Sequence, residues 1–323
     1  MLCVGLNPYG IAFTTGLYPV NTPRANPRPL GLDGYLKLAE ELALKGIELP
    51  SVWLKALDAD AMAKLHQRIQ QNNWWVVLSV SLNEVEPLIP VARNLGAQVF
   101  RIALTKFLCG ARAEKLVEWN ETVAQVKKAL PAAAKRAAEF ELSIAIENHQ
   151  DFDSDDLLEL CELSGDNTGI TLDCGNALSV GEDPLAFATK LARRVKHIHL
   201  KDYRAHWSDE GYRLIRCAIG EGAVAFKDIA KVFDATKLTA SIEPGALNAR
   251  HIRLLAADWW NGYRPRSATS LAAALFTARK NRMKEEEDWR TPWEADAGSD
   301  AIIAYEMQQL KKSVSNVKEL GLL

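Results

Sequence analysis

The sequence predicts an α/β fold, a (β/α)8 TIM barrel with a C-terminal helical extension, and three observations carry that expectation. Between residues 3 and 245, eight short β-rich runs alternate with amphipathic helical stretches, the pattern of parallel βαβ units. Eight such units in that length fill a closed barrel better than an open doubly wound sheet, and no Gly-x-Gly-x-x-Gly follows the first run to open a dinucleotide site. Ionisable residues also recur at the ends of the later runs, where a barrel gathers its functional groups.

The elements follow in order. Cys3–Leu6 reads as the first strand, followed by a Pro/Gly/Asn-rich loop over 16–31 and a helix over Leu32–Leu44. Gly46–Pro50 is the second strand, Ala59–Gln70 a helix, and the Val-rich run Trp74–Ser81 a buried third strand. Glu84–Asn94 and Ala113–Phe140 are helical on either side of the fourth strand, Gln98–Leu104. Strands five to eight are Leu142–His149, Thr168–Asn176, Val195–Asp202 and Thr239–Gly245. Helices are expected at Asp155–Glu162, from Pro184 and over Phe226–Phe233, the last after a Gly220/Gly222 segment. Residues 1–245 are thus expected to form the catalytic barrel and 246–323 a helical extension packed on it. The extension carries helices over Leu271–Asn281 and Asp300–Leu320 and four of the nine tryptophans (Trp259, Trp260, Trp289, Trp293). Packing or subunit contact is the expected role of that extension, with a flap over the active site as the alternative.

Composition narrows the function. The 323 residues are 48% hydrophobic and 25% charged, with 39 Lys and Arg against 41 Asp and Glu, which excludes a disordered chain and gives no overall pull toward nucleic acid or anionic lipid. No stretch approaches the roughly 20 apolar residues of a membrane span. The N-terminus reads as mature structure rather than a signal peptide. The five cysteines are odd in number and widely spaced without a Cys-x-x-Cys pair, which fits reduced thiols and a cytoplasmic location. A homo-oligomer is expected from the many barrel helices and the long tail.

Four residues end four late strands: Glu147 in IENH, Asp173 in LDCGN, His199 in HIHLKD and Glu243 in SIEP, with gaps of 26, 26 and 44 residues. Three carboxylates and an imidazole converging on one point repel unless a cation lies between them. Three oxygens and one nitrogen suit Mn²⁺, then Mg²⁺ or Co²⁺, with Zn²⁺ an alternative. A metal there would stabilise the enediolate of a sugar, keto-sugar or sugar acid, with Glu147 and Glu243 as proton acceptor and donor. The same electron sink would serve loss of water or carbon dioxide, so a lyase, a dehydratase or decarboxylase of a 3-oxo sugar acid, stays open beside the isomerase or epimerase. A non-catalytic sugar-binding barrel is a more distant reading.

Strand alternation puts His197, His199 and Lys201 on one face and Glu147 with His149 on another strand's face. His149, Asn176, His197, Lys201 and the strand residue Arg101 are candidate substrate contacts. Glu48 in GIELP is expected to make a structural hydrogen bond, and Arg264 and Arg266 to lie on the surface.

IENH, LDCGN, VKHIHLKD, the Gly220-Glu221-Gly222 turn and SIEP together resemble the xylose-isomerase-like TIM-barrel superfamily of sugar phosphate isomerases and epimerases, ketose 3-epimerases, inosose dehydratases and an endonuclease branch. The resemblance runs from about residue 32 to 245. It implies one divalent ion held by Glu147, Asp173, His199 and Glu243, the second histidine of His-x-His being the ligand and His197 a neighbour or substrate contact. Several ketose epimerases of the family carry a His three residues after the metal-binding Asp; here Asn176 stands there, able to hydrogen-bond a hydroxyl but not to shuttle protons. The endonuclease branch, with its multi-zinc, His-rich cluster, is less similar to a chain with six histidines.

Overall fold

The computed structural model describes residues 2–234 and 237–323. Eleven strands are described: β1 Cys3–Leu6, β2 Gly46–Pro50, β3 Trp75–Val80, β4 Val99–Ile102, β5 Ser143–Glu147, β6 Thr168–Asp173, β7 Val195–Leu200, β8 Tyr203–Ser208, β9 Gly211–Arg216, β10 Thr239–Ile242 and β11 Arg250–Ile252. The α-helices are α1 Ala12–Thr15, α2 Gly31–Glu41, α3 Ser51–Leu54, α4 Ala59–Asn72, α5 Val85–Asn94, α6 Leu116–Ala138, α7 Ser154–Ser164, α8 Pro184–Leu191, α9 Phe226–Val232, α10 Ala268–Lys280 and α11 Ser299–Glu319.

Eight parallel strands close in the order β1-β10-β7-β6-β5-β4-β3-β2, the (β/α)8 barrel that the alternation predicts. The strands are short and apolar, and their faces toward the helices join one continuous core. Helix boundaries follow local chemistry. Asp58 accepts the Ala61 N–H to start α4, Asp153 and Asp156 form a reciprocal capping box on α7, and Asp183 precedes Pro184 at the first position of α8.

Two arrangements were not legible in the sequence. The stretch between β7 and Gly220 is a hairpin, β8–β9, to which β11 adds antiparallel as the third strand of a separate sheet. Its tip, Asp209-Glu210-Gly211, and the buried alternation Tyr203, Ala205 and Tyr212, Leu214 were the available signals. The Gly220–Gly222 turn wraps the Asp202 carboxylate, which accepts the N–H groups of Tyr203, Gly220, Gly222 and Val224. A Cβ on Gly222 would stand 2.3 Å from Asp202 Oδ1, so only glycine fits.

The last helix is also more than an addition. Leu310, Val314 and Val317 of α11 lie in the main barrel core, and the Leu2 N–H donates to the Leu322 carbonyl. α11 therefore takes the place of the barrel's eighth helix. Residues 246–298 form a long insertion between the eighth barrel strand and that helix, and packing does not break at residue 245.

Candidate metal centre at the barrel mouth

Strand register assembles the site. Asp173 pairs with His199, and Ser241 also pairs with His199, so β6, β7 and β10 present their ends level with one another. Glu147, the last residue of β5, lies one strand further round, and Glu243 follows β10. The alternation that exposes these side chains to the mouth is the period-two geometry of the strand.

Glu147, Asp173, His199 and Glu243 each offer a ligand atom, and these atoms all lie within 4.8 Å of one another. Metal–ligand bonds of about 2.0–2.6 Å place the donors around one ion about this far apart. The donor chemistry fits as well. Both oxygens of Glu147, Asp173 Oδ2 and His199 Nδ1 are buried and make no hydrogen bond of regular geometry; they are met by close charge contacts instead. His199 Nδ1 is 2.8 Å from Glu243 Oε2 and 3.5 Å from Glu147 Oε1. The residues therefore fit a divalent cation.

Two cations complete the ring. The Arg101 guanidinium projects inward against Glu147, and the Lys201 ammonium bridges Asp173 and Glu243 Oε1, 2.7 Å from the latter. Burial alone would raise the Glu147 carboxyl, but Arg101, His149 and His199 outweigh it and hold it well below the ordinary range. Burial likewise works against ionising Glu243, yet Lys201 and His199 bring it down to about 2. Asp173 differs: burial, reinforced by Glu243 and Glu147, pushes it up to about 7 despite Lys201. Burial opposes a charged His199, but Glu48 and Glu243 raise it well above an ordinary imidazole, so in the metal-free protein a proton occupies the place of a cation.

Glu48 does more than its expected structural hydrogen bond. Its Oε1 lies 2.9 Å from His199 Nε2 and 3.1 Å from His197 Nε2, and its Oε2 accepts the Ser79 hydroxyl. A proton on His199 Nε2 directed at Glu48 leaves Nδ1 as the lone pair facing the carboxylates, the arrangement by which an outer carboxylate orients a metal-binding histidine. Glu48 lies in the middle of β2, two residues short of the strand's end, so its position gave a weaker signal than the strand-end residues did. Asn7, after β1, was missed altogether; its Nδ2 donates to Glu243 Oε2 at 2.9 Å.

A cleft of about 410 Å³ opens beside the ring, lined by Tyr9, Tyr18, Arg101, His149, Gln150, Lys201, Glu243, Asn248 and Arg250, among others. Arg101, His149 and Lys201 are thus brought to it. His197 and Asn176 are not among its lining residues. His197 lies a step below His199, its ring nitrogens engaged by Thr239, Ser241 and Glu48. Asn176 is buried, donating to the Asn148 carbonyl and accepting from Gln150 and Tyr203. Trp259 and Trp260 pack with Tyr263 into a second apolar core under the accessory sheet, away from the cleft. Arg264 pairs with Glu159, and Arg204 with Glu287. Arg266 is partly buried, reaching Asp153 and the Val180 carbonyl.

Fold and site together define a TIM barrel with a carboxylate–histidine cluster at its mouth that could hold a metal ion. A family model described as xylose isomerase-like TIM barrel matches residues 36–256. The chain belongs to that family. Among curated proteins it is similar to the rhizopine catabolism protein MocC of Rhizobium meliloti, 31% identical over 98 residues, which span 29% of this chain and only 28% of that protein. Among solved structures it is similar to a xylose isomerase-like TIM barrel protein from Mycobacterium smegmatis in complex with magnesium (TM-score 0.56, 14% identity, covering 86% of this chain and 98% of that one). It is also similar to the probable 3-DHS dehydratase AsbF of Bacillus anthracis (TM-score 0.54, 17% identity, 75% and 92% covered). A third is a D-psicose 3-epimerase from Clostridium cellulolyticum H10, solved with D-tagatose (TM-score 0.54, 12% identity, 88% and 100% covered). These structural likenesses concern the fold. Among the described residues, no helix is long and apolar enough to cross a membrane.

Proposed function

We propose that this chain is a divalent-metal-dependent isomerase or epimerase acting on a small keto-sugar or sugar acid. The observation that carries this reading is the convergence of Glu147, Asp173, His199 and Glu243, whose ligand atoms all lie within 4.8 Å of one another. A divalent ion held there, Mn²⁺ being favoured by three oxygens and one nitrogen, supplies the Lewis acidity that makes a C–H bond beside a carbonyl acidic.

The chain's own residues handle the proton. Glu147 and Glu243 rise from β5 and β10, which β6 and β7 separate in the barrel, so they flank the centre from two sides. Arg101 keeps Glu147 ionised and Lys201 keeps Glu243 ionised, so one carboxylate can accept the substrate proton and pass it to solvent, while the other, once it has taken a proton from solvent, delivers it to the opposite face. Asn248 and Tyr9 supply uncharged hydrogen-bonding groups in the cleft, suited to hydroxyls.

A second reading, elimination of water next to the carbonyl, is favoured by His149. Its imidazole lines the cleft with Nδ1 buried and unpartnered, and burial lowers it to about 4, leaving a neutral ring able to act as base. Elimination needs one base and a departing hydroxyl, whereas inversion needs groups on two sides.

The test is incubation of the metal-loaded protein in D₂O with a panel of ketoses and keto acids. Deuterium incorporation next to the carbonyl with an isomeric product supports the first reading. A new conjugated-carbonyl absorbance with loss of water supports the second. Absence of both exchange and product overturns the two together.

A further inference from the structure

Arg250 differs from the other cations of the cleft. Arg101 is matched by Glu147, and Lys201 by Asp173 and Glu243. Arg250, the first residue of β11, lines the same cleft, yet it makes no side-chain hydrogen bond or ion pair with the described residues, and its Nε is buried without a partner. Glu294, which reaches the neighbouring Ala249, is spent on the N–H groups of Ala249 and Thr291. A half-buried guanidinium with no acceptor carries an uncompensated desolvation cost that a bound anion removes.

The charge count agrees. With a divalent ion in place, the carboxylates of Glu48, Glu147, Asp173 and Glu243 are balanced by that ion, Arg101 and Lys201. Arg250 is the charge left over. The accessory sheet explains its placement. β11 is held in register by β9, with Arg250 opposite Leu214 and Ile252 opposite Tyr212, so a rigid strand rather than a free loop fixes the residue.

We infer that Arg250 is an anion subsite, and that the substrate is a polyhydroxylated carboxylate monoanion, a sugar acid rather than a neutral sugar. The inference rests on the metal-dependent reading above. One guanidinium offers a single positive charge and two parallel N–H donors, the match for a carboxylate; a phosphate dianion would keep an unmatched charge.

The experiment is calorimetric titration of the metal-loaded full chain with D-glucuronate, D-galacturonate and D-mannuronate, their parent hexoses, and D-glucose 6-phosphate. The wild type is expected to bind at least one uronate roughly tenfold or more tighter than its hexose. Arg250→Met is expected to erase that ratio while leaving hexose binding, metal content and melting temperature in place, and Arg250→Lys to restore part of it. Equal affinity for uronates and hexoses, preference for the phosphate, or a ratio that survives in Arg250→Met overturns the inference. A chain that takes up no divalent ion fails earlier, before any sugar is added, and that outcome overturns the metal reading instead.

Discussion

Two buried charged clusters adjoin in this molecule, and they are built on opposite terms. In the first, Glu306 of α11 accepts the N–H groups of Phe13 and Thr14 and the Thr14 hydroxyl, while Arg216 reaches Glu306, Gln309 and the Gly10 carbonyl. Both side chains are fully buried, and each carboxylate oxygen and guanidinium nitrogen has a partner. In the second, around Glu147, Asp173, His199 and Glu243, four buried atoms make no hydrogen bond of regular geometry and are met only by close charge contacts with Arg101, Lys201 and one another. Gly10 links the two, since a Cβ there would lie 2.8 Å from Glu243 Cα. The satisfied cluster ties the eighth helix and the accessory hairpin to the loop after β1. The second gathers carboxylates that repel one another, and a cation among them would relieve that repulsion. Complete hydrogen bonding, not burial or charge, separates the structural network from the candidate ligand site.

That contrast can be broken by substitution. His199→Asn is expected to abolish stoichiometric metal binding and lower turnover more than roughly a thousandfold, because the Lewis acid is lost, with little change in the folded content; elemental analysis and a turnover assay on the same sample check it. Arg216→Met should do the reverse. Leaving Glu306 buried and uncompensated is expected to destabilise by about 3–5 kcal/mol, read by denaturant unfolding, while the remaining folded protein still binds metal with full stoichiometry. If Arg216→Met instead removed the metal without loss of stability, the division between the clusters would be wrong.

Smaller effects sharpen the comparison. Glu48→Gln weakens the partner of His199 Nε2 and is expected to cost roughly 10–100-fold in metal affinity, measured by competition with a chelator. In the metal-free protein Asp173 is raised to about 7 and His199 retains its proton at neutral pH. Both protons must leave when the metal enters, so affinity should rise with pH between 6 and 8, by about tenfold per unit for each proton released. Calorimetry in buffers of different ionisation enthalpy counts those protons, and affinity flat across this range would contradict the assignment. The exposed pair of Arg264 and Glu159 marks the lower limit: Arg264→Ala should change stability by no more than about 1 kcal/mol.

The legible part of the site and the illegible part differ in sequence range. Glu147, Asp173, His199 and Glu243 were readable because each ends a strand whose apolar alternation is local, and a barrel sends all strand ends to one mouth. Glu48 lies inside β2 rather than at its end, and its meaning depends on two histidines about 150 residues away. Asn176 could be read as a site residue from its distance to Asp173; the 3-10 turn over Asn176–Val180 and the buried contacts with Asn148 and Tyr203 turn it to a structural use. Arg250 gave no signal, being one arginine among several in a segment without periodicity.

The sequence by itself determined the barrel, its strand order and the side of it on which chemistry gathers, since these follow from period-two and period-3.6 patterning and from the parallel geometry that short βα connections impose. Only the tertiary structure decided that the last helix closes the barrel, that Glu48 orients His199, and that Arg250 stands without a counter-charge. Those facts are pairings between distant segments, and whether a polar atom is satisfied depends on what surrounds it in space.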